Sequence, residues 1–125
     1  MGAVYTETVR IIARSTFNGF VQNLVEKRIR KTVKEQLDSW FAIASRAKWK
    51  NSAELKQQLS SASIVSSERV VFNIKGNDSR LVTAIDYAHS ILLVLWIGTH
   101  REYDQIDVTS VRFEKERYAN SAHSN

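Results

Sequence analysis

Apolar positions recur with two different periods along this chain, helical in the first half and strand-like in the second. Phe17, Phe20, Val21, Leu24 and Val25 recur at helical spacing, and Ile29, Val33, Leu37, Trp40, Phe41 and Ala44 carry the pattern over a longer span. Residues three and four apart share one helix face, so this spacing predicts two amphipathic helices. Before them, Val9-Arg10-Ile11-Ile12-Ala13 is short and rich in β-branched residues, which predicts a strand at a sheet edge. Ser15 or Thr16 can cap the helix that follows. Asn51-Ser52-Ala53-Glu54 has the form of a helix start, and a short third helix with Leu55 and Leu59 should follow it. Trp49 precedes that helix, and its indole is either a core plug or a platform for stacking a base.

The serine-rich stretch from Ser60 to Ser67 predicts a loop with a short irregular strand at Ser63-Ile64-Val65. The period then changes. Val70-Val71-Phe72-Asn73-Ile74-Lys75 predicts a strand, Gly76-Asn77-Asp78 a tight hairpin turn, and Arg80 to Ile85 the returning strand. Alternation assigns Val70, Phe72 and Ile74 to one face and Val71, Asn73 and Lys75 to the other. On the returning strand Leu81, Thr83 and Ile85 oppose Arg80, Val82, Ala84 and Asp86. After a turn at Asp86 to Ser90, Ile91 to Ile97 is apolar enough to be buried on both faces. The expected fold class is α+β, with N-terminal helices packed on a small antiparallel meander. One domain over residues 9–111 is expected, with 1–8 and 112–125 as flexible ends, because the stretch from Glu114 is polar and lacks apolar periodicity.

Charge narrows the partners. Eighteen Lys plus Arg against thirteen Asp plus Glu leave a net charge of +5, a balance that suits a polyanion. Lys27, Arg28, Arg30, Lys31 and Lys34 cluster about the second helix, either as a solvated face or as a contact for RNA phosphates or an acidic partner segment. With no cysteine there is neither a disulfide framework nor a thiolate metal site, which suits a reducing cytoplasm. The apolar run Ile91 to Ile97 is too short for a membrane helix, so no membrane association is expected.

Candidate chemistry lies where the last strand ends. Gly98 and Thr99 close it, and His100, Arg101, Glu102, Tyr103 and Asp104 follow where rigid sheet positions a departing loop. A histidine transfers protons near neutral pH, and arginine and tyrosine donate to phosphate oxygens. Lys75 and Arg80 flank the hairpin turn, as a phosphate site or as solvated hairpin charges. RNA is cleaved without metal when its 2′-hydroxyl attacks the adjacent phosphorus, given a group to move that proton, a cation for the phosphorane and a donor for the leaving 5′-oxygen. A metal nuclease built from Asp86, Glu102, Asp104 and Asp107 is the weaker alternative, since these carboxylates lack a recognisable ligand spacing. No metal or other cofactor is therefore expected.

Four segments carry a family resemblance: Ala47-Lys48-Trp49-Lys50-Asn51-Ser52-Ala53-Glu54-Leu55-Lys56, then Val70-Val71-Phe72-Asn73-Ile74-Lys75-Gly76-Asn77, Arg80-Leu81-Val82, and Ile97-Gly98-Thr99-His100-Arg101-Glu102-Tyr103-Asp104-Gln105-Ile106-Asp107. In this order and spacing the chain resembles the HigB-type toxins of bacterial type II toxin–antitoxin systems, related in fold to the RelE toxins, over about a hundred residues. The resemblance implies a cytoplasmic, ribosome-dependent mRNA endonuclease silenced by a HigA-type helix-turn-helix antitoxin, with DNA reached only through that antitoxin. It also implies proton transfer by His100, phosphate stabilisation by Arg80 and substrate positioning by Tyr103, with Lys75, Asn73, Arg101, Lys48 and Lys50 as RNA contacts. Two departures stand out: the first two helices are extended and basic, and the turn at Ser60-Ser61-Ala62 lacks the family's usual proline. A noncatalytic RNA- or ribosome-binding module, or an inactive toxin acting in repression with its antitoxin, is the alternative.

Overall fold

A five-stranded sheet in the order β1-β5-β4-β3-β2 organises the chain. Its strands are β1 (Arg10–Ile12), β2 (Ser63–Ile64), β3 (Arg69–Ile74), β4 (Ser79–Asp86) and β5 (Ile91–Thr99). The computed structural model describes residues 8–12, 15–74 and 79–119. The expected hairpin turn at Gly76-Asn77-Asp78, and Lys75 beside it, lie outside the described residues. Strands β2 to β5 pair antiparallel with their neighbours, whereas β1 lies parallel to β5 through Arg10↔Ile91, Ile11↔Leu92 and Ile12↔Leu93. The fold is thus α+β, with N-terminal helices packed on a mostly antiparallel sheet.

The helices follow their apolar spacing. Helix α1 (Ser15–Asn23) turns Phe17, Phe20 and Val21 inward, and a single 3-10 turn (Lys27–Ile29) leads into α2 (Arg30–Ser45), which buries Val33, Leu37, Trp40 and Ala44. Ser15 and Thr16 both fall inside the first turn of α1, and Thr16 is buried. Helix α3 (Ser52–Gln58) starts as its residues predict: Asn51 Oδ1 accepts from the Glu54 N–H at 2.9 Å, and Glu54 Oε1 accepts from the Lys50 N–H at 2.9 Å. Trp49 is a core plug. It is buried, its ring stacks on Phe72 with centroids 6.4 Å apart, and its Nε1 donates to Gln58 Oε1 at 2.8 Å. Trp40 meets Phe17 and Phe72 edge-on in the same core.

Alternation sorts the sheet as expected. Val70, Phe72, Ile74, Leu81, Ile85, Leu92, Val94 and Ile97 face the helices, while Val71, Val82, Leu95 and Trp96 form a second cluster on the opposite face. Leu95 breaks strict alternation because the register shifts between Val82 and Thr83: Val82 pairs with Trp96, whereas Thr83 pairs with Val94. This bulge lets two consecutive large side chains join the same cluster. The second face is roofed by the chain after β5, through Tyr103, Ile106, Val108 and Val111, and Arg69 Nη1 fastens that roof by donating to the Val108 and Val111 carbonyls at 2.9 and 3.1 Å.

Past Val111 the chain turns back around β5. Lys115–Tyr118 forms a 3-10 turn, and Tyr118, in a stretch whose polarity predicts no core role, is 7% exposed and belongs to the helix-side core. It meets α1 where Gly19 leaves room, since a Cβ there would overlap the Tyr118 backbone, and Asn23 Nδ2 donates to the Tyr118 carbonyl at 3.1 Å. Among the described residues β1 pairs with the first three residues of β5, and the backbone of Ile97 has no strand partner on that edge. Side chains substitute for one: the Ile97 N–H donates to the Tyr118 hydroxyl at 2.8 Å, and Arg117 Nη2 donates to the Ile97 carbonyl at 3.0 Å.

Candidate active site

Three strands and one helical turn meet at the end of the sheet where β5 stops. β5 runs through Gly98 and Thr99, which pair with Arg80 and Ser79 of β4, and Asn73 of β3 pairs with Arg80 from the other side. The sequence predicts a departing loop next; the chain instead forms α4 (His100–Tyr103), a single turn. Its start is a complete capping box, in which the Glu102 N–H donates to Thr99 Oγ1 at 3.1 Å and the Thr99 N–H donates to Glu102 Oε1 at 2.9 Å. The signal for it, Thr99-x-x-Glu102, is present in the sequence and is the same kind of start as Asn51-x-x-Glu54.

The predicted residues divide into three groups. Arg80, half-buried, lies on the same strand face as Val82, and Tyr103 packs into the Val82 and Trp96 cluster with its ring 6.3 Å from the indole. His100 and Arg101 are exposed at the start of the same turn, and His100 Nε2 stands 3.8 Å from Asp104 Oδ2. Arg80, Asn73, His100, Arg101 and Tyr103 therefore share one end of the sheet. Asn73 is exposed and ties this corner to the loop after α3 by donating to the Ser61 carbonyl at 3.1 Å. Lys48 and Lys50 are exposed on either side of Trp49, whose indole packs on the helix-side core, on the other face from Tyr103. Lys75 lies outside the described residues.

The carboxylates behave as local caps. Asp86 accepts from the His89 N–H and faces its ring, Asp107 accepts from Thr109, and both are held below the ordinary aspartate value, chiefly by those hydrogen bonds. Among the described residues no three His, Cys, Asp or Glu converge as a metal cluster would require. The basic cluster about α2 is partly self-neutralised: Arg28 of the preceding 3-10 turn pairs with Glu26, and on α2 Lys31 pairs with Glu35 and Lys34 with Asp38.

One residue that sequence reasoning left aside, Arg117, stands at this corner. Arg117 Nη2 donates to Glu102 Oε1 at 3.1 Å, and its guanidinium lies 4.7 Å from the centroid of the Trp96 ring. Glu102 is pushed up by partial burial, but the Thr99 N–H, the Arg117 guanidinium and the Thr99 hydroxyl outweigh that and leave it below its usual value. A carboxylate with a lowered folded pKa contributes stability above its unfolded pKa and loses it as the pH falls through the folded value. Thermal unfolding followed from about pH 5 down to pH 3 should therefore show a shallower acid-side decline in Glu102→Gln than in the parent. Parallel declines would mean that the charge of Glu102 contributes nothing to the fold.

No helix among the described residues is long and apolar enough to cross a membrane. Comparison with known families matches residues 33–106, more than half of the chain, to a family described as HigB_toxin, RelE-like toxic component of a toxin-antitoxin system. No curated protein matches the chain.

Proposed function

This chain belongs to the RelE-like HigB toxin family, and from that membership we propose that it is a metal-independent endoribonuclease that cleaves mRNA on the translating ribosome. What supports the reading is the position of a histidine, an arginine and a tyrosine at the same end of the sheet, with Asn73 and Arg101 at that end too. In this reading the 2′-oxygen bonds to phosphorus as its proton is taken up, the bond from phosphorus to the 5′-oxygen breaks, and that oxygen is protonated. His100 moves a proton, Arg80 stabilises the charge on the phosphorane, and Tyr103 holds the substrate in line. Arg101, Asn73, Lys75, Lys48 and Lys50 contact RNA away from the reacting bond. A HigA-type helix-turn-helix antitoxin holds the toxin silent in the cytoplasm and provides its only link to DNA.

The reaction fixes the products: one fragment ends in a 2′,3′-cyclic phosphate and the other begins with a free 5′-hydroxyl. Purified protein added to mRNA-programmed ribosomes should yield those ends. Fragments carrying a 5′-phosphate would overturn the 2′-hydroxyl mechanism, and intact mRNA would leave a ribosome-binding protein in its place.

A further inference from the structure

Arg117 lies beyond the residues that match the family, yet one guanidinium joins the elements on which the proposed chemistry depends. We infer that Arg117 is a positioning residue that fixes α4, and with it His100 and Tyr103, against the end of β5; its catalytic consequence rests on the nuclease reading above. Helix α4 is a single turn, too short to hold itself in place, so its orientation depends on its cap and on tertiary tethers. The cap centres on one atom, Glu102 Oε1, which accepts from the Thr99 N–H at 2.9 Å, the Thr99 hydroxyl at 3.3 Å and Arg117 Nη2 at 3.1 Å. Arg117 thus acts directly on the oxygen that defines where α4 begins.

A second route runs through an aromatic ring. The Trp96 indole meets both the Arg117 guanidinium, 4.7 Å from its centroid, and the Tyr103 ring, at 6.3 Å. The same Nη2 donates to the Ile97 carbonyl at 3.0 Å, and Nε donates to the Tyr118 hydroxyl at 3.2 Å, so the planar fork is anchored to the sheet at its base. Gly98 makes the arrangement possible, because a Cβ there would overlap both the indole and the guanidinium. Sheet, cap and tyrosine are in this way referred to one rigid group. The ion pair is only partly exposed, with side-chain accessibilities of 21% for Arg117 and 39% for Glu102, so water screens it less than a surface pair.

The test compares the parent, Arg117→Ala and Arg117→Lys by single-turnover cleavage on programmed ribosomes, ribosome affinity and amide hydrogen exchange. A displaced catalytic group costs up to about a hundredfold in rate, and Arg117→Ala should cleave about 30-fold more slowly. Its ribosome affinity should stay within about twofold, because the loss falls on the reacting geometry rather than on binding. Arg117→Lys keeps a cation for Glu102 but not the fork, and should recover part of the rate. The Asp104 and Gln105 amides, which close α4 onto His100 and Glu102, should exchange faster in Arg117→Ala while β3 and β4 amides keep their protection. Parental cleavage and exchange in Arg117→Ala would overturn the inference, as would a rate loss accompanied by loss of protection throughout the sheet. If Arg117→Ala does not fold, Arg117→Lys decides alone: parental α4 exchange and cleavage in it refute a positioning role for the fork. A parent protein that leaves ribosome-bound mRNA intact overturns the nuclease reading and the catalytic consequence together, and the exchange comparison then still decides the clamp.

Discussion

Replacing His100 with alanine is expected to lower mRNA cleavage on the ribosome by about 10²- to 10⁴-fold, the range over which a positioned proton-transfer group acts. Arg80→Ala should fall by about 10²- to 10³-fold, as removal of a group that stabilises charge in the transition state does. If the two side chains serve one transition state, the double variant should be little worse than the more damaged single one. Neither change touches the buried core: His100 is exposed on α4 and Arg80 half-buried on the roofed face of β4. Both variants should fold, bind the ribosome and still be captured by the antitoxin. Induced expression gives the same comparison in cells, where the parent should arrest growth and His100→Ala should not. Undiminished growth arrest in His100→Ala would remove the histidine from the mechanism.

The largest effect on stability is expected at Tyr118. Its ring is buried against α1 and stacked on Phe113 at 6.1 Å, and its hydroxyl accepts from the Ile97 N–H while donating to the Ile97 carbonyl. Truncating a buried aromatic residue to alanine costs about 3–5 kcal/mol. For a domain of this size that lowers the midpoint of thermal unfolding by on the order of 10–20 °C. Tyr118→Phe separates the two contributions, since it keeps the ring and leaves the Ile97 N–H without its acceptor, at about 1–3 kcal/mol. Calorimetry or urea unfolding of both variants measures the difference. An unchanged midpoint in Tyr118→Ala would show that the C-terminal turn is dispensable to the fold.

The parts readable from sequence are those in which neighbours along the chain decide the outcome. The helical spacing of Val33, Leu37, Trp40 and Ala44 and the alternation of Val70, Phe72 and Ile74 follow from local geometry, and all these side chains are in the core. The run from Ile91 is buried on both faces because the helices cover one and the chain from Tyr103 to Val111 covers the other. Non-local features were not readable. Parallel pairing of β1 with β5 joins residues some eighty positions apart, and the bulge that sends both Leu95 and Trp96 to one face depends on register with β4. Tyr118 stands in a polar stretch with no period, and its place comes from distant contacts such as Gly19 on α1 and Ile97 on β5. The candidate site divides in the same way. His100 and Tyr103 follow a strand whose end is visible in the sequence, whereas the clamp on Glu102 comes from an arginine fifteen residues further on. The capping box at Thr99 was locally encoded and needed only its spacing to be noticed.

The way Arg117 and Tyr118 occupy the far part of the β5 edge also bears on how the molecule keeps to itself. A chain cut at Ile106, where the family match ends, would lose both side chains and present the Ile97 backbone, flanked by apolar residues, to any neighbouring molecule. Unpaired strand edges of that kind recruit strands from other copies. The shortened protein would then be expected to self-associate as its concentration rises, a behaviour that sedimentation over a concentration series would detect.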